Sequence, residues 1–206
     1  LMVLQYLALP AAFAGVGVFM VFLVATDLSE RMRGLAITDP LTGVLNRRGF
    51  LDATLRAISQ ARRSAQPLTL VMADLDHFKR VNDSYGHAAG DRALARFGAH
   101  LTSELRQSDL VGRIGGEEFA LLLSNTDVEA AAQVAERLCR AFALAAMEIG
   151  GARVQLTASF GVAALSTQDG DVEDLLERAD RRLYAAKEAG RNRVCIAPAA
   201  EETAEA

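Results

Sequence analysis

Two adjacent glycines, Gly115 and Gly116, set between Val111-Gly112-Arg113-Ile114 and Phe119-Ala120-Leu121-Leu122-Leu123, leave this chain few ways to fold locally. Glycine takes positive φ at both central positions of a tight turn without a Cβ clash, so the pair reads as a hairpin tip. The apolar runs on either side then become neighbouring antiparallel strands. Glu117 and Glu118 follow the glycines at once. On a strand they would point to opposite faces, because side chains alternate with period two. A bare turn beside a carboxylate suits a phosphorylated ligand: the main chain approaches the phosphates, and the carboxylate holds the hard cation that neutralises them. From the hairpin alone, a plain strand connection explains the glycines equally well.

The rest of the chain supplies a sheet and helices for that hairpin. Leu68-Thr69-Leu70-Val71-Met72-Ala73 is a continuous apolar run, the pattern of a central strand, and it delivers the chain to Asp74-Leu75-Asp76-His77-Phe78-Lys79. Carboxylates at the end of a buried strand stand where open α/β sheets place ligand chemistry. Asp74 and Asp76 share a face only if the strand runs on that far. Helical spacing predicts helices over 48–64 (Phe50, Leu51, Leu55 and Ile58 inward), 88–105 (Leu94, Phe97, Leu101, Leu105), 128–146 (Val134, Leu138, Phe142) and 172–189 (Leu175, Ala179, Leu183, Ala186). Asn82 to His87 reads as a polar loop, Arg153 to Leu165 as a strand with a possible bulge at Gly161, and Val194-Cys195-Ile196 as a last short strand. Asp91 falls in the first turn of its helix and Lys187 and Arg191 near the end of theirs, so dipole and capping effects account for them as readily as a ligand does. Gly190 takes the helix-ending position. Asp39-Pro40-Leu41-Thr42-Gly43 is a polar elbow.

The beginning of the chain differs. No residue from Leu1 to Thr26 is charged at neutral pH, a run long enough to cross a bilayer, which takes roughly 20 apolar residues. It lacks the basic start of a cleaved signal peptide and opens on Leu, so residues 1–26 are read as a transmembrane helix at the end of a larger membrane region. Residues 27–38, with Leu28, Met32 and Leu35 at helical spacing, read as a juxtamembrane helix or a linker. Two copies of such a helix can pair as a short coiled coil, whereas Gly34 favours a mobile connector. Residues 198–206 form an Ala/Glu tail, expected to be disordered. A formal charge of −4 argues against a nucleic-acid surface, and Cys139 and Cys195 have no metal-site spacing and are too few for a disulfide scaffold, which fits a reducing compartment.

The ordered set Asp39-Pro40-Leu41-Thr42, Asn46-Arg47, Asp74 to Lys79, Asn82-Asp83, Gly86-His87, Gly90-Asp91, Gly115-Gly116-Glu117-Glu118-Phe119 and Lys187 through Gly190-Arg191-Asn192 closely resembles the GGDEF domain of diguanylate cyclases, in a Gly-Gly-Glu-Glu-Phe form. The resemblance covers about residues 35–197, with the domain itself placed at 39–197. It implies an α/β (α+β) fold: a central, mainly antiparallel sheet flanked by helices, akin to nucleotidyl cyclase and polymerase palm domains, here preceded by the transmembrane helix. It implies condensation of two GTP into cyclic di-GMP with release of pyrophosphate, in a homodimer whose domains meet across a twofold axis, since each holds one GTP. It also implies the bacterial inner membrane, with the catalytic domain in the cytoplasm.

The resemblance assigns roles by position. Asp74 and Glu117, with the main-chain carbonyl of Leu75, match the ligands of Mg²⁺ or Mn²⁺, two ions per GTP, and Glu118 the residue that helps deprotonate the attacking hydroxyl. Asn82 and Asp91 match the guanine-reading pair, because an ionised Asp91 can accept from guanine N1–H and the exocyclic amine, a pair of donors that adenine lacks. Phe78, Lys79, His87, Gly115, Gly116, Lys187 and Arg191 match the remaining substrate-side positions. Arg106 and Asp109 stand where many members carry an inhibitory product site, and Arg137 matches a further basic contact, in some relatives supplied by a neighbouring domain. A catalytically silent domain that binds GTP or cyclic di-GMP and signals by docking is the alternative.

Overall fold

The computed structural model describes residues 20–22, 36–149, 152–167 and 169–196. The chain divides into two compact units, Leu1–Ala36 and Ile37–Ala206. Of the first, Met20, Val21 and Phe22 are helical and exposed. The rest of the expected membrane span, residues 27–35 of the connector and the 198–206 tail lie outside the described residues, among which no helix is long and apolar enough to cross a membrane.

The second unit is built on a six-stranded sheet of β1 (Leu45–Asn46), β2 (Leu68–Leu75), β3 (Leu110–Arg113), β4 (Glu118–Ser124), β7 (Ala158–Ala164) and β8 (Val194–Ile196), in the order β1-β3-β4-β2-β7-β8. The three inner pairings are antiparallel and the two outermost parallel. β5 (Met147–Ile149) and β6 (Ala152–Val154) form a separate hairpin. Five helices, α1 (Arg47–Ser64), α2 (Phe78–Tyr85), α3 (His87–Ser103), α4 (Val128–Leu144) and α5 (Val172–Glu188), cover the sheet. The mainly antiparallel, helix-flanked architecture expected from the sequence is therefore present.

β2 shows why its sequence carries no alternation. Leu70 and Met72 belong to the core under α1 and α5, with Phe50, Leu175, Ala179 and Leu183, while Val71, Ala73 and Leu75 belong to the core under α3 and α4. A strand buried on both faces reads as an unbroken apolar run. In the second core Phe97 meets Phe119 edge-on, with centroids 5.1 Å apart, and Phe142 at 4.8 Å. Such pairs add about 0.5–1.5 kcal/mol each beyond their buried area. Phe119, last residue of the hairpin motif, is thus core, and it anchors the start of β4.

Several elements differ from expectation. The supposed polar loop at 82–87 lies largely within α2, whose only buried residues are Phe78 and Val81 and which is followed by Gly86 at φ +78° before α3 begins. The strand expected over 153–165 is two strands, broken at 155–157. Gly161 is no bulge: it pairs in register with Met72 and Cys195, and a Cβ there would collide with Leu183 N and Ala179 O of α5. Its missing side chain lets α5 press directly onto the sheet. Leu55, expected inward on α1, is 47% exposed. Ile37 and Thr38 are not helical: Thr38 bridges Leu45, and Ile37 O accepts from Asn46 N at 2.9 Å.

Candidate functional site

The hairpin between β3 and β4 is not the two-residue turn that adjacent glycines suggest. Among the described glycines, positive φ occurs at Gly43, Gly86 and Gly190, not at Gly115 or Gly116. The loop spans residues 114–117 and is closed by Ile114 N and Gly115 N donating to Glu118 O at 2.9 and 3.3 Å. The glycines answer a different need. A Cβ on Gly115 would strike Glu118 Oε2, which curls back over the loop, whereas nothing lies within 4 Å of where one would stand on Gly116. Glu117 consequently belongs to the loop and Glu118 alone opens the strand, so strand alternation does not set their directions.

Asp74 lies directly across from Glu118 on β4 and Ser159 on β7. By the period of two it shares the face of Leu70 and Met72, the face that α5 covers. Gly161 brings α5 close, and Lys187, one turn beyond Leu183, places Nζ 2.9 Å from Asp74 Oδ2. Asp74 is 3% exposed. Burial, followed by repulsion from Glu117 and Glu118, pushes its carboxyl up to about 6 against the pull of Lys187. Burial also raises Glu117, opposed by Lys187 and reinforced by Glu118. Asp74, Glu117, Glu118 and Lys187 therefore share one electrostatic neighbourhood with more negative charge than the single ammonium balances.

That charge surplus, with oxygen donors from a strand end and a hairpin loop, fits a hard divalent cation. Among the described residues no three His, Cys, Asp or Glu side chains gather closely enough to hold a metal. Mg²⁺ does not require that, since it is usually held by one or two carboxylates with the remaining positions taken by water and substrate phosphate. Leu75, last residue of β2, adds a main-chain carbonyl at the same strand end.

Asp76 serves another purpose. Its carboxylate accepts from Thr157 Oγ1 and Ser159 Oγ at 2.7 Å each and from Asn192 N at 3.0 Å, stapling the ends of β2 and β7 to the loop after α5. Arg191, in that loop at φ +65°, has an exposed side chain, as do Lys79 and His87. Asn82 and Phe78 lie against α3 at Gly90, where a Cβ would run into Asn82 Oδ1 and crowd Phe78 Cζ; Asp91, the next residue, is exposed. Because α3 starts at His87, Asp91 falls beyond the first turn, and the dipole explains it less well than expected.

Sequence reasoning quoted Asp39 and Arg113 but gave neither a role at the site. Arg113 donates to Gly116 O from Nη2 at 2.7 Å and Nε at 3.2 Å, and from Nη1 to Asp39 Oδ1 and Oδ2 at 3.2 and 3.3 Å. Asp39 Oδ1 also accepts from Thr42 N and Oγ1 at 2.9 and 2.7 Å. Although its partial burial opposes it, hydrogen bonds from Thr42 and the Arg113 charge hold the Asp39 carboxyl below the usual range. The loop carrying Glu117 is thus clamped through Arg113 to the elbow at the start of the domain. The signal for it in the sequence is an arginine three residues before the second glycine, which has no meaning until Asp39 is known to lie beside it.

On another part of the domain Arg106, Asp109 and Arg137 line one cavity of about 450 Å³ with Glu104. Asp109 accepts from Arg106 N at 3.1 Å and Ser124 N at 3.2 Å. Arg137 pairs with Glu104, Nε to Oε2, at 3.3 Å. Here Arg137 reaches the cavity from its own domain.

Comparison with known proteins bears on this arrangement. The family profile described as "Diguanylate cyclase, GGDEF domain" matches residues 36–193. The chain is 41% identical over 168 residues to the diguanylate cyclase DgcP of Pseudomonas aeruginosa, covering 82% of this chain and 25% of that protein. It is 39% identical over 170 residues to a diguanylate cyclase of Vibrio cholerae, covering 82% and 52%. The chain therefore spans from a quarter to about half of these curated relatives. Among solved structures, the GGDEF domain of DgcB from Caulobacter crescentus, in complex with c-di-GMP, superposes with a TM-score of 0.75 at 30% identity, over 78% of this chain and 92% of that one. The active GGEEF domain of a Vibrio cholerae diguanylate cyclase gives 0.69 at 37% identity, over 73% and 96%.

Proposed function

The chain belongs to the GGDEF family of diguanylate cyclases, and from that premise we propose that residues 39–197 condense two GTP molecules into cyclic di-GMP. In each of two steps the 3′-oxygen of one nucleotide forms a bond to the α-phosphorus of the other, pyrophosphate departs, and the hydroxyl proton is released. Little covalent chemistry falls to the protein. Its task is positioning and charge compensation.

Asp74, Glu117 and the Leu75 carbonyl are the groups that would hold Mg²⁺ or Mn²⁺, two ions per GTP, which when bound neutralise the triphosphate and stabilise charge developing on the leaving oxygen. Glu118, across the ladder from Asp74, is the group we assign to take the hydroxyl proton. Asn82 and Asp91 read guanine from α2 and α3, and Phe78 shapes the floor beneath them. Lys79, His87, Lys187 and Arg191 line the substrate side, and Gly115 and Gly116 bring main chain to the phosphates, the space beside Gly116 being open. The cavity of Arg106, Asp109 and Arg137 is the candidate site for inhibition by product, two guanidiniums being suited to phosphate and guanine edges.

Catalysis then requires a homodimer, one GTP per domain, and the apolar 1–26 run tethers the pair to the bacterial inner membrane with the catalytic unit in the cytoplasm. The observation that carries the proposal is the meeting of Asp74 with the charges of Glu117, Glu118 and Lys187 at one strand end. Incubation with Mg²⁺ and either GTP or ATP, followed by mass analysis, should yield cyclic di-GMP from GTP alone. The Glu117→Ala protein should keep its circular dichroism spectrum and make none; undiminished product would remove the mechanism. Without residues 1–38, specific activity should also rise with protein concentration, and a flat series carried well below the dimer dissociation constant would exclude the dimer requirement.

A further inference from the structure

Lys187 is claimed by two partners. Its position matches a group facing the substrate triphosphate, yet in this structure its Nζ lies 2.9 Å from Asp74 Oδ2. The Asp74 side chain is only 4% exposed while that of Lys187 is 29% exposed, so the ammonium stands on the open side of an otherwise covered carboxylate. An ammonium on Asp74 Oδ2 and a divalent cation drawn to the same carboxylate repel each other at close range in a partly desolvated setting, so each weakens the other's hold.

The backbone of α5 is a poor candidate for moving the ammonium. Gly161 lets the helix sit so tightly that Leu183 N and Ala179 O occupy the space a Cβ would need, and Leu183 and Ala186, in the turn leading to Lys187, are buried. The lysine stem has four rotatable methylenes, and its partly exposed end can move without the helix. What draws it off is a group with more negative charge than one carboxylate, and a triphosphate arriving at the hairpin is such a group.

We infer that Lys187 is an exchange group: it occupies Asp74 until the triphosphate takes the ammonium, so that divalent cation and nucleotide bind together rather than independently. The inference rests on the metal and nucleotide site proposed above. Coupling of this kind is reciprocal, so the cation must favour nucleotide by the same factor that nucleotide favours the cation.

The test is Mn²⁺ binding to the whole chain, read from the electron paramagnetic resonance of the free ion. It is run with and without a GTP analogue carrying a non-cleavable α,β bridge. Without nucleotide, Lys187→Met should bind Mn²⁺ at least about 10-fold more tightly than wild type, equivalent to about 1.4 kcal/mol. Lys187→Gln should follow it. The analogue should tighten Mn²⁺ far more in wild type than in either variant. Equal Mn²⁺ affinity in wild type and both variants without nucleotide, or equal tightening by the analogue in all three, overturns the inference while leaving the metal site intact. Asp74→Asn separates the two levels: if it still binds Mn²⁺ as wild type does in the presence of analogue, the site itself is misassigned and the inference falls with it.

Discussion

Asp74→Asn should make the protein more stable, not less, and only above a definite pH. In the fold the Asp74 carboxyl is raised from 3.8 to about 6, first by burial and then by Glu117 and Glu118, with Lys187 compensating in part. The folded state therefore binds this proton more tightly than the unfolded chain. The stability this lends is fully present below the unfolded value and is lost as pH rises through about 6. Near pH 8 the ionised carboxylate costs the fold about 3 kcal/mol relative to its protonated form. Asparagine has the shape of the carboxyl group and, like its protonated form, carries no charge. Lys187, 29% exposed, loses its partner in the variant but can turn to water, which limits that loss to well under the gain. The expected net stabilisation is about 1–3 kcal/mol at pH 8, or roughly 2–4 °C per kcal/mol for a domain of this size. Urea unfolding with chelator and without nucleotide, at pH 8 and again near pH 4, measures it. The variant should unfold later at pH 8, and the two proteins should converge near pH 4. A less stable variant at pH 8, or a gap of equal size at both values, would refute the reasoning, because charge burial at the site would then not be what separates them.

Other substitutions probe the remaining parts. Arg113→Ala frees Gly116 O and should lower kcat about 10- to 100-fold through misplacement of the Glu117 loop, with KM for GTP nearly unchanged; steady-state kinetics within twofold of wild type would remove the clamp from the account. Asp91→Ala should cut the preference for GTP over ATP by about 100-fold, as loss of a group that pairs both guanine donors would, and competition binding of the two nucleotides measures it. An unchanged ratio would move guanine reading elsewhere. Gly161→Ala has to push α5 off the sheet and should cost roughly 2–3 kcal/mol in thermal unfolding, whereas a neutral result would mean the helix is free to give way.

The sheet and most helices were legible because burial writes itself into the sequence as periodicity. Helix α5 shows it plainly: Leu175, Ala179, Leu183 and Ala186 repeat at helical spacing, and all four are buried. The failures also have local causes. Helix α2 is polar, with Asn82, Asp83 and Ser84 in sequence, and buries only Phe78 and Val81, too few to show a period. Leu55 fits the helical pattern of α1 yet is exposed, because spacing alone does not say how wide the covered face of a helix is. Gly161 looked like a bulge because a strand glycine signals either a bulge or a close backbone approach, and only the position of α5 decides between them.

At the site, residue types and their order were readable, while their partners were not. That Asp74 faces α5, and so meets Lys187, depends on strand parity and on the fit of a helix against Gly161. Asp39 and Arg113 stand 74 residues apart, and neither carries a pattern that announces the other. Asp76, adjacent in type and position to Asp74, proved to be a staple because Thr157, Ser159 and Asn192 claim its oxygens.

The central claim is that the strand end at Asp74 and the loop at Glu117 together hold divalent metal with a guanine nucleotide. Anomalous diffraction from crystals grown with Mn²⁺ and a non-cleavable GTP analogue tests it most directly. The account predicts a manganese peak bridging the Asp74 and Glu117 carboxylates and the phosphates, with Lys187 Nζ moved from Asp74 to the triphosphate. Manganese bound on phosphate alone, with Asp74 still paired to Lys187, would contradict it.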